Sequence, residues 1–255
     1  MPTALITGGT SGIGAAFARA LASRGDDLVL VARDAERLAA AAAELSRRPG
    51  ITVETLVADL ADKADVLKVA ERLADASRPI DLLVNNAGFG VHTKLLDPDV
   101  AAHERALDVM CLAVLVLGGA AGRAMKARGQ GRIINVSSLA GWIAQGNYSA
   151  VKAWVRSYSE GLSNELHGTG VTVTALCPGW VRTEFHDRAG IRTSGIPEWV
   201  WVDADRVAAR ALGDADRGVV ISVPTKRWKV AKFAATHGPR GAVRLASRML
   251  TKSRD

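Results

Sequence analysis

Cysteine is scarce in this chain: Cys111 and Cys177 are the only two in 255 residues. That count excludes a disulfide scaffold and fits a reducing compartment. Neither thiol has other metal ligands for company, so no metal site is expected. No charged and apolar leader precedes the first apolar segment, which begins by residue 3. The longest apolar run, Leu112 to Leu117 with small flanking residues, is too short to cross a bilayer and reads as a buried helix. Internal repeats, low-complexity tracts and a linker between domains are also lacking. Together these absences point to a soluble, cytoplasmic protein. With 48% hydrophobic and 23% charged residues the chain can bury one sizeable core.

Apolar segments near residues 3–7, 28–33, 52–57, 81–85, 131–137, 171–177 and 218–222 predict strands, with helices between them. Leu28 to Val31 and Leu82 to Val84 are apolar throughout, as strands covered on both faces are. The alternation predicts an α/β fold: a single doubly wound parallel sheet of about seven strands with helices on both faces.

Two stretches carry chemistry. In the first, the strand Pro2 to Thr7 runs into Gly8-Gly-Thr-Ser-Gly-Ile-Gly14 and then the alanine-rich helix Ala15 to Arg24. Glycines let the backbone turn tightly and approach a pyrophosphate, while the helix start points free N–H groups and partial positive charge at it. In the second, the strand ending Ser137-Ser138 leads through a short loop to a helix bearing Tyr148 and Lys152. Four residues apart, these two lie on one helix face, and the strand end brings Ser138 to the same point. A tyrosine titrates near ~10 by itself, and a neighbouring ammonium lowers that value and makes the phenol a usable acid/base. A serine hydroxyl can hold the oxygen on which charge changes.

Both stretches resemble the short-chain dehydrogenase/reductase family. Thr7, Gly8, Gly12, Ile13 and Gly14 meet its glycine pattern, and Tyr148 with Lys152 its Tyr-x-x-x-Lys. Asn85-Asn86-Ala87-Gly88, Asp59-Leu60, and Pro178-Gly179 with Thr183 fall in the family's order between residues 3 and 183. The resemblance implies a Rossmann-type fold and hydride transfer between a nicotinamide and a carbonyl or secondary alcohol. Tyr148 would move the proton, Ser138 hold the oxygen, and Lys152 tune the tyrosine and bind the ribose. Cofactor contacts would come from Gly8, Thr10, Ser11, Gly12, Ile13, Gly14, Asp59, Leu60, Asn85, Ala87, Gly88, Tyr148, Lys152, Pro178, Gly179, Val181 and Thr183. A segment from Glu184 to Trp201 would cover the substrate, and Phe89, Trp142 and Trp180 would line its site. Aromatic bodies there suit a bulky apolar substrate, and packing under a lid is the other reading. The family also forms dimers or tetramers on helices that include residues 100–128 and 148–166. In two places the chain departs from the pattern. Met110 stands where most members have an asparagine that holds a water for the lysine, and a thioether cannot donate a hydrogen bond. The loop from Ser138 to Tyr148 is short, which leaves Ser137 as the alternative hydroxyl.

Cofactor choice turns on the end of the second strand. Ala32 stands where an NAD-binding acid would, and Arg33 follows, suited to the extra phosphate of NADP. Asp34 is read as a helix N-cap rather than a ribose ligand. NADP is therefore expected, with NAD as the other possibility.

Charge is uneven. Residues 224–255 hold nine Lys and Arg against the one acid Asp255, so the formal charge of +7 belongs to the tail. We divide the chain into a catalytic domain over 1–223, including the lid at 184–201, and a basic helical extension over 224–255 packed on it. Trp228, Val230, Phe233, Val243, Leu245 and Met249 interleave with those charges, around a break at Gly238-Pro239. Weak contact with an anionic membrane and simple packing on the domain or a sister subunit both fit this pattern. Nucleic acid does not, since no recognition module is present. His167 and His186 have no partner visible in sequence and read as surface residues. Two functions stay open: an NADP-dependent oxidoreductase, and a nucleotide-binding sensor or scaffold in which Met110 has ended turnover.

Overall fold

Strands that alternate with helices must cross over in one hand, and where two crossovers run apart the sheet opens a crevice. The computed structural model, which describes residues 1–91, 93–185, 197–239, 241–245 and 247, has that arrangement. Its strands are β1 (Thr3–Thr7), β2 (Asp27–Ala32), β3 (Val53–Val57), β4 (Leu82–Asn85), β5 (Gly131–Val136), β6 (Val171–Leu176), β7 (Val181–Arg182), β8 (Val202–Asp203) and β9 (Ile221–Ser222). Seven of them form one parallel sheet in the order β3-β2-β1-β4-β5-β6-β9. The order reverses between β1 and β4, so the carboxyl ends of these two strands flank the crevice.

Successive side chains of a strand face opposite sides, and the core divides accordingly. Ala4, Ile6, Leu28, Leu30, Leu82 and Val84 pack beneath α1 (Gly12–Arg24) and α2 (Ala35–Leu45). Leu5, Val29, Val31, Leu83 and Ile133 pack on the other face, beneath α3 (Lys63–Ala74) and a long helix. That helix runs as α4 (Ala101–Leu107), a π-helical segment Asp108–Leu112, and α5 (Ala113–Arg128). It is long and apolar enough to cross a membrane, yet most of its apolar window is buried in the domain, as in any core helix. Further helices are α6 (Gly146–Glu165), α7 (Ala204–Asp216) and α8 (Lys226–His237). Phe17 on α1 is fully enclosed, and removing such a side chain from water contributes about 1.5–3 kcal/mol.

Six sheet strands fall within one residue of their expected limits. The seventh was expected over 218–222 and pairs only at Ile221–Ser222, because Gly218 and Val219 still donate back into the end of α7. The two-residue pair β7–β8 was not foreseen.

Candidate active site

At the end of β1 the backbone folds back on itself. Thr7 Oγ1 accepts from Asn86 N at 3.0 Å and Ala87 N at 3.1 Å, and Asn86 Nδ2 donates to Thr7 O at 2.9 Å. These bonds lace β1 to β4 and hold the turn against the crevice. Gly8 takes φ 67°, and a Cβ on Gly14 would stand 2.2 Å from Gly8 O, so no larger residue fits there. Ser11 is the extended N-cap of α1, but its side chain makes no capping bond and the first turn holds no acid. The open N–H groups and the helix dipole therefore suit an anion, and the turn fits a pyrophosphate. Thr10, Ser11, Gly12 and Ile13 are half-buried around it.

Arg33 stands exposed at the end of β2 and makes no hydrogen bond or ion pair among the described residues. Asp34 Oδ1 accepts from Arg37 N at 3.0 Å, so its carboxylate caps α2. Asp59 receives two bonds from Arg105 Nη2, at 3.0 and 2.8 Å. Burial pushes its carboxyl up, but Arg105 and the Ala61 N–H outweigh this and hold it below the ordinary value. Leu60 belongs to the core.

At the next strand end the two serines separate. Ser137 Oγ donates to Lys152 O at 2.6 Å and is buried, which fastens β5 to α6. Ser138 Oγ accepts from Ala140 N at 3.1 Å, capping the 3-10 turn Leu139–Trp142, and keeps its own proton to give. Lys152 is 4% exposed; its Nζ donates to Val136 O at 2.9 Å and lies 5.6 Å from the Tyr148 ring centroid. Burial pulls this ammonium down to about 8, while the Cys111 and Cys177 thiols oppose the shift. Met110, buried on the π segment, reaches the same place. A Cβ on Gly88 would stand 3.0 Å from Met110 Sδ and 3.6 Å from Lys152 Nζ.

Asn85 belongs to the site by position, not by side chain: its amide donates to Asn135 Oδ1 at 2.9 Å inside the sheet. The amide that touches the glycine turn is that of Asn86, which sequence reasoning did not single out. Ala87 is tied to Thr7 through its N–H, as above. Pro178 O accepts from Leu139 N at 3.0 Å, which joins the β6 end to the residue after Ser138. Gly179 lies under Trp228 of α8, whose ring leaves no room for a Cβ. In the sequence Trp228 is a residue of the basic tail, and nothing local marks its contact with Gly179 across 49 positions. Val181 is buried in β7, and Thr183 stands against Gly12.

Among the aromatic residues, Phe89 is half-buried against the core. Trp142 lies between Arg156 and Lys232, at 4.8 and 5.7 Å, and Trp180 meets Trp201 edge-on at 5.6 Å. Phe185 faces Tyr148 with ring centroids 6.0 Å apart. Lid residues 186–196, with His186, Ile191 and Ile196, lie outside the described residues, as do tail residues Arg240, Arg248, Met249, Lys252, Arg254 and Asp255. Trp199 and His167 are exposed.

Fold and corner together define a class, the α/β oxidoreductases that act on alcohols and carbonyls. The family described as short chain dehydrogenase matches residues 2–192, and the chain belongs to it. An uncharacterized oxidoreductase of Staphylococcus saprophyticus is 38% identical over 183 residues, 71% of this chain and 78% of that one. The solved short-chain dehydrogenase from Sphingobium yanoikuyae, in complex with NADPH, superposes with TM-score 0.84 at 37% identity, covering 92% of this chain and 94% of that one. The bulky-bulky ketone specific alcohol dehydrogenase from Comamonas testosteroni gives TM-score 0.79 at 31% identity, covering 95% and 96%.

Proposed function

We propose that the protein is an NADP-dependent oxidoreductase acting on the carbonyl or secondary alcohol of a bulky apolar substrate, through Ser138, Tyr148 and Lys152. One observation carries this reading: the buried Lys152 ammonium sits 5.6 Å from the Tyr148 ring, beside the strand end that bears Ser138. A bound nicotinamide supplies or takes the hydride at C4. Tyr148 passes a proton to the substrate oxygen in reduction and takes it back in oxidation. Ser138 holds that oxygen with the proton it has kept. Lys152 stabilises the tyrosinate and so brings Tyr148 into working range.

Arg33, which makes no hydrogen bond or ion pair among the described residues, and Asp34, committed to its cap, support NADP over NAD. The NADPH of the Sphingobium relative agrees. The bulky-ketone specificity of the Comamonas relative, with Phe89, Trp142, Trp180 and Phe185 here, supports an apolar substrate. Assembly as a dimer or tetramer would cover the exposed Leu112 of the π segment, Leu115 of α5 and Trp154 of α6. We keep 1–223 as the catalytic domain and the tail from 224 as an extension packed on it. Val230 and Phe233 on its exposed side suit weak contact with an anionic membrane surface. The working place is the cytoplasm.

The test is oxidation of NADPH and NADH with ketones and aldehydes graded from small to steroid-sized. Turnover that prefers NADPH and bulky ketones, and is lost in Tyr148→Phe, supports the proposal. Met110 favours a second reading, a slow or regulatory member, because its thioether fills the space beside Lys152. Tight NADPH binding with no turnover, and activity gained in Met110→Asn, would establish that reading instead.

A further inference from the structure

Three consecutive residues touch three parts of the site. A Cβ on Gly12 would stand 3.3 Å from Thr183 Cβ, Arg37 Nη2 donates to Glu184 Oε2 at 3.2 Å, and Phe185 faces Tyr148. Residues 183–185 thus form a strap between the glycine turn and the tyrosine. Its middle carboxylate reaches Arg37, in the first turn of α2, directly after the Arg33-Asp34 end of β2. On the dinucleotide reading proposed above, the adenosine ribose sits between that strand end and the glycine turn, so the ion pair crosses the ribose end of the cleft.

The two side chains are 43% and 57% exposed, so water screens the pair and Arg37 exchanges partners readily. A phosphate carries more charge than a carboxylate and three acceptor oxygens, and it competes well for a guanidinium fork. Asp59 is engaged by Arg105 and Asp34 by its cap, which leaves Glu184 as the carboxylate facing Arg37 among the described residues. We infer that Glu184 is a cofactor-selecting residue: it holds Arg37 when the ribose bears no phosphate and yields it to a 2′-phosphate, which Arg37 then grips beside Arg33. Glu184 therefore opposes the phosphate by competing for Arg37, and sets how strongly NADP is preferred.

Calorimetric titration with adenosine 2′,5′-bisphosphate and with AMP tests this, because the two differ only in the 2′-phosphate and neither can donate a hydride. Glu184→Gln should tighten the bisphosphate roughly two- to fivefold, the range for a half-exposed ion pair, and leave AMP unchanged within twofold. Arg37→Gln should weaken the bisphosphate about tenfold or more, and in that background Glu184→Gln should do nothing further. Equal changes for both nucleotides, or a Glu184 effect that survives without Arg37, would overturn the inference while leaving the dinucleotide site standing. Binding of neither nucleotide by the wild type would overturn both.

Discussion

The glycine turn after β1 and the serine-tyrosine-lysine corner after β5 stand at strand ends of one sheet, but they are built from opposite materials. The turn is backbone: a Cβ on Gly14 meets Gly8 O at 2.2 Å, and the nearby donors are N–H groups. The corner is side chain: Ser138, Tyr148 and Lys152 are held by neighbours such as Val136 O and Ala140 N. The difference teaches that substitution should damage the first through shape and the second through chemistry.

The largest effect expected is at Tyr148. Tyr148→Phe should lower kcat by about 10²–10⁴, with folding stability changing by less than about 1 kcal/mol. Steady-state rates beside denaturant melts check this, and loss of the fold would break the comparison. Next come the serines. Ser138→Ala should cost about 10²–10³ in kcat, whereas Ser137→Ala should act on stability by about 1–3 kcal/mol, since it removes the hydroxyl that donates to Lys152 O inside the core. If Ser137→Ala is the one that stops turnover at unchanged stability, the two roles are reversed.

Gly14→Ala should destabilise the fold by about 3 kcal/mol, at the top of the range for overpacking, because its clash is with backbone that cannot rotate away. A stable Gly14→Ala protein that still binds cofactor would show the turn to be more yielding than its geometry implies. The smallest effect is the most specific. Lys152 titrates at about 8 in the folded chain against an ordinary 10.5. Between these values the unfolded chain binds the extra proton, so stability rises with pH across that window, and carbonyl reduction falls as pH passes about 8. Lys152→Met should remove its share of the stability rise, visible as a difference in urea midpoints between pH 8 and 10.

Local pattern made most of the sheet legible. Leu28 to Val31 and Leu82 to Val84 had to be buried strands, and the Gly8–Gly14 run between strand and helix had to be a turn. What stayed hidden depends on distant partners. Whether Ser137 or Ser138 keeps a free proton is decided by Lys152 O, fifteen residues on. Asn85 is an expected cofactor contact, but that its amide joins Asn135 across the sheet, and Asn135 joins Ser159 in turn, is not visible in its sequence neighbours. Arg105 on Asp59 and Trp228 over Gly179 are likewise contacts that no periodicity announces. The β7–β8 pair is two residues long in each strand, too short to carry a period.

The π segment at Asp108–Leu112 bears on how this helix tolerates change in length. A π turn amounts to one residue inserted into an α-helix and retained. Deleting a single residue there would restore the regular helix and leave the faces on either side where they are, whereas a deletion farther along, inside α5, would rotate all that follows by about 100°. Only the second kind would swing Met125, now in the core, toward water. The stretch from 108 to 112 is therefore where this helix can lose one residue and keep its buried face.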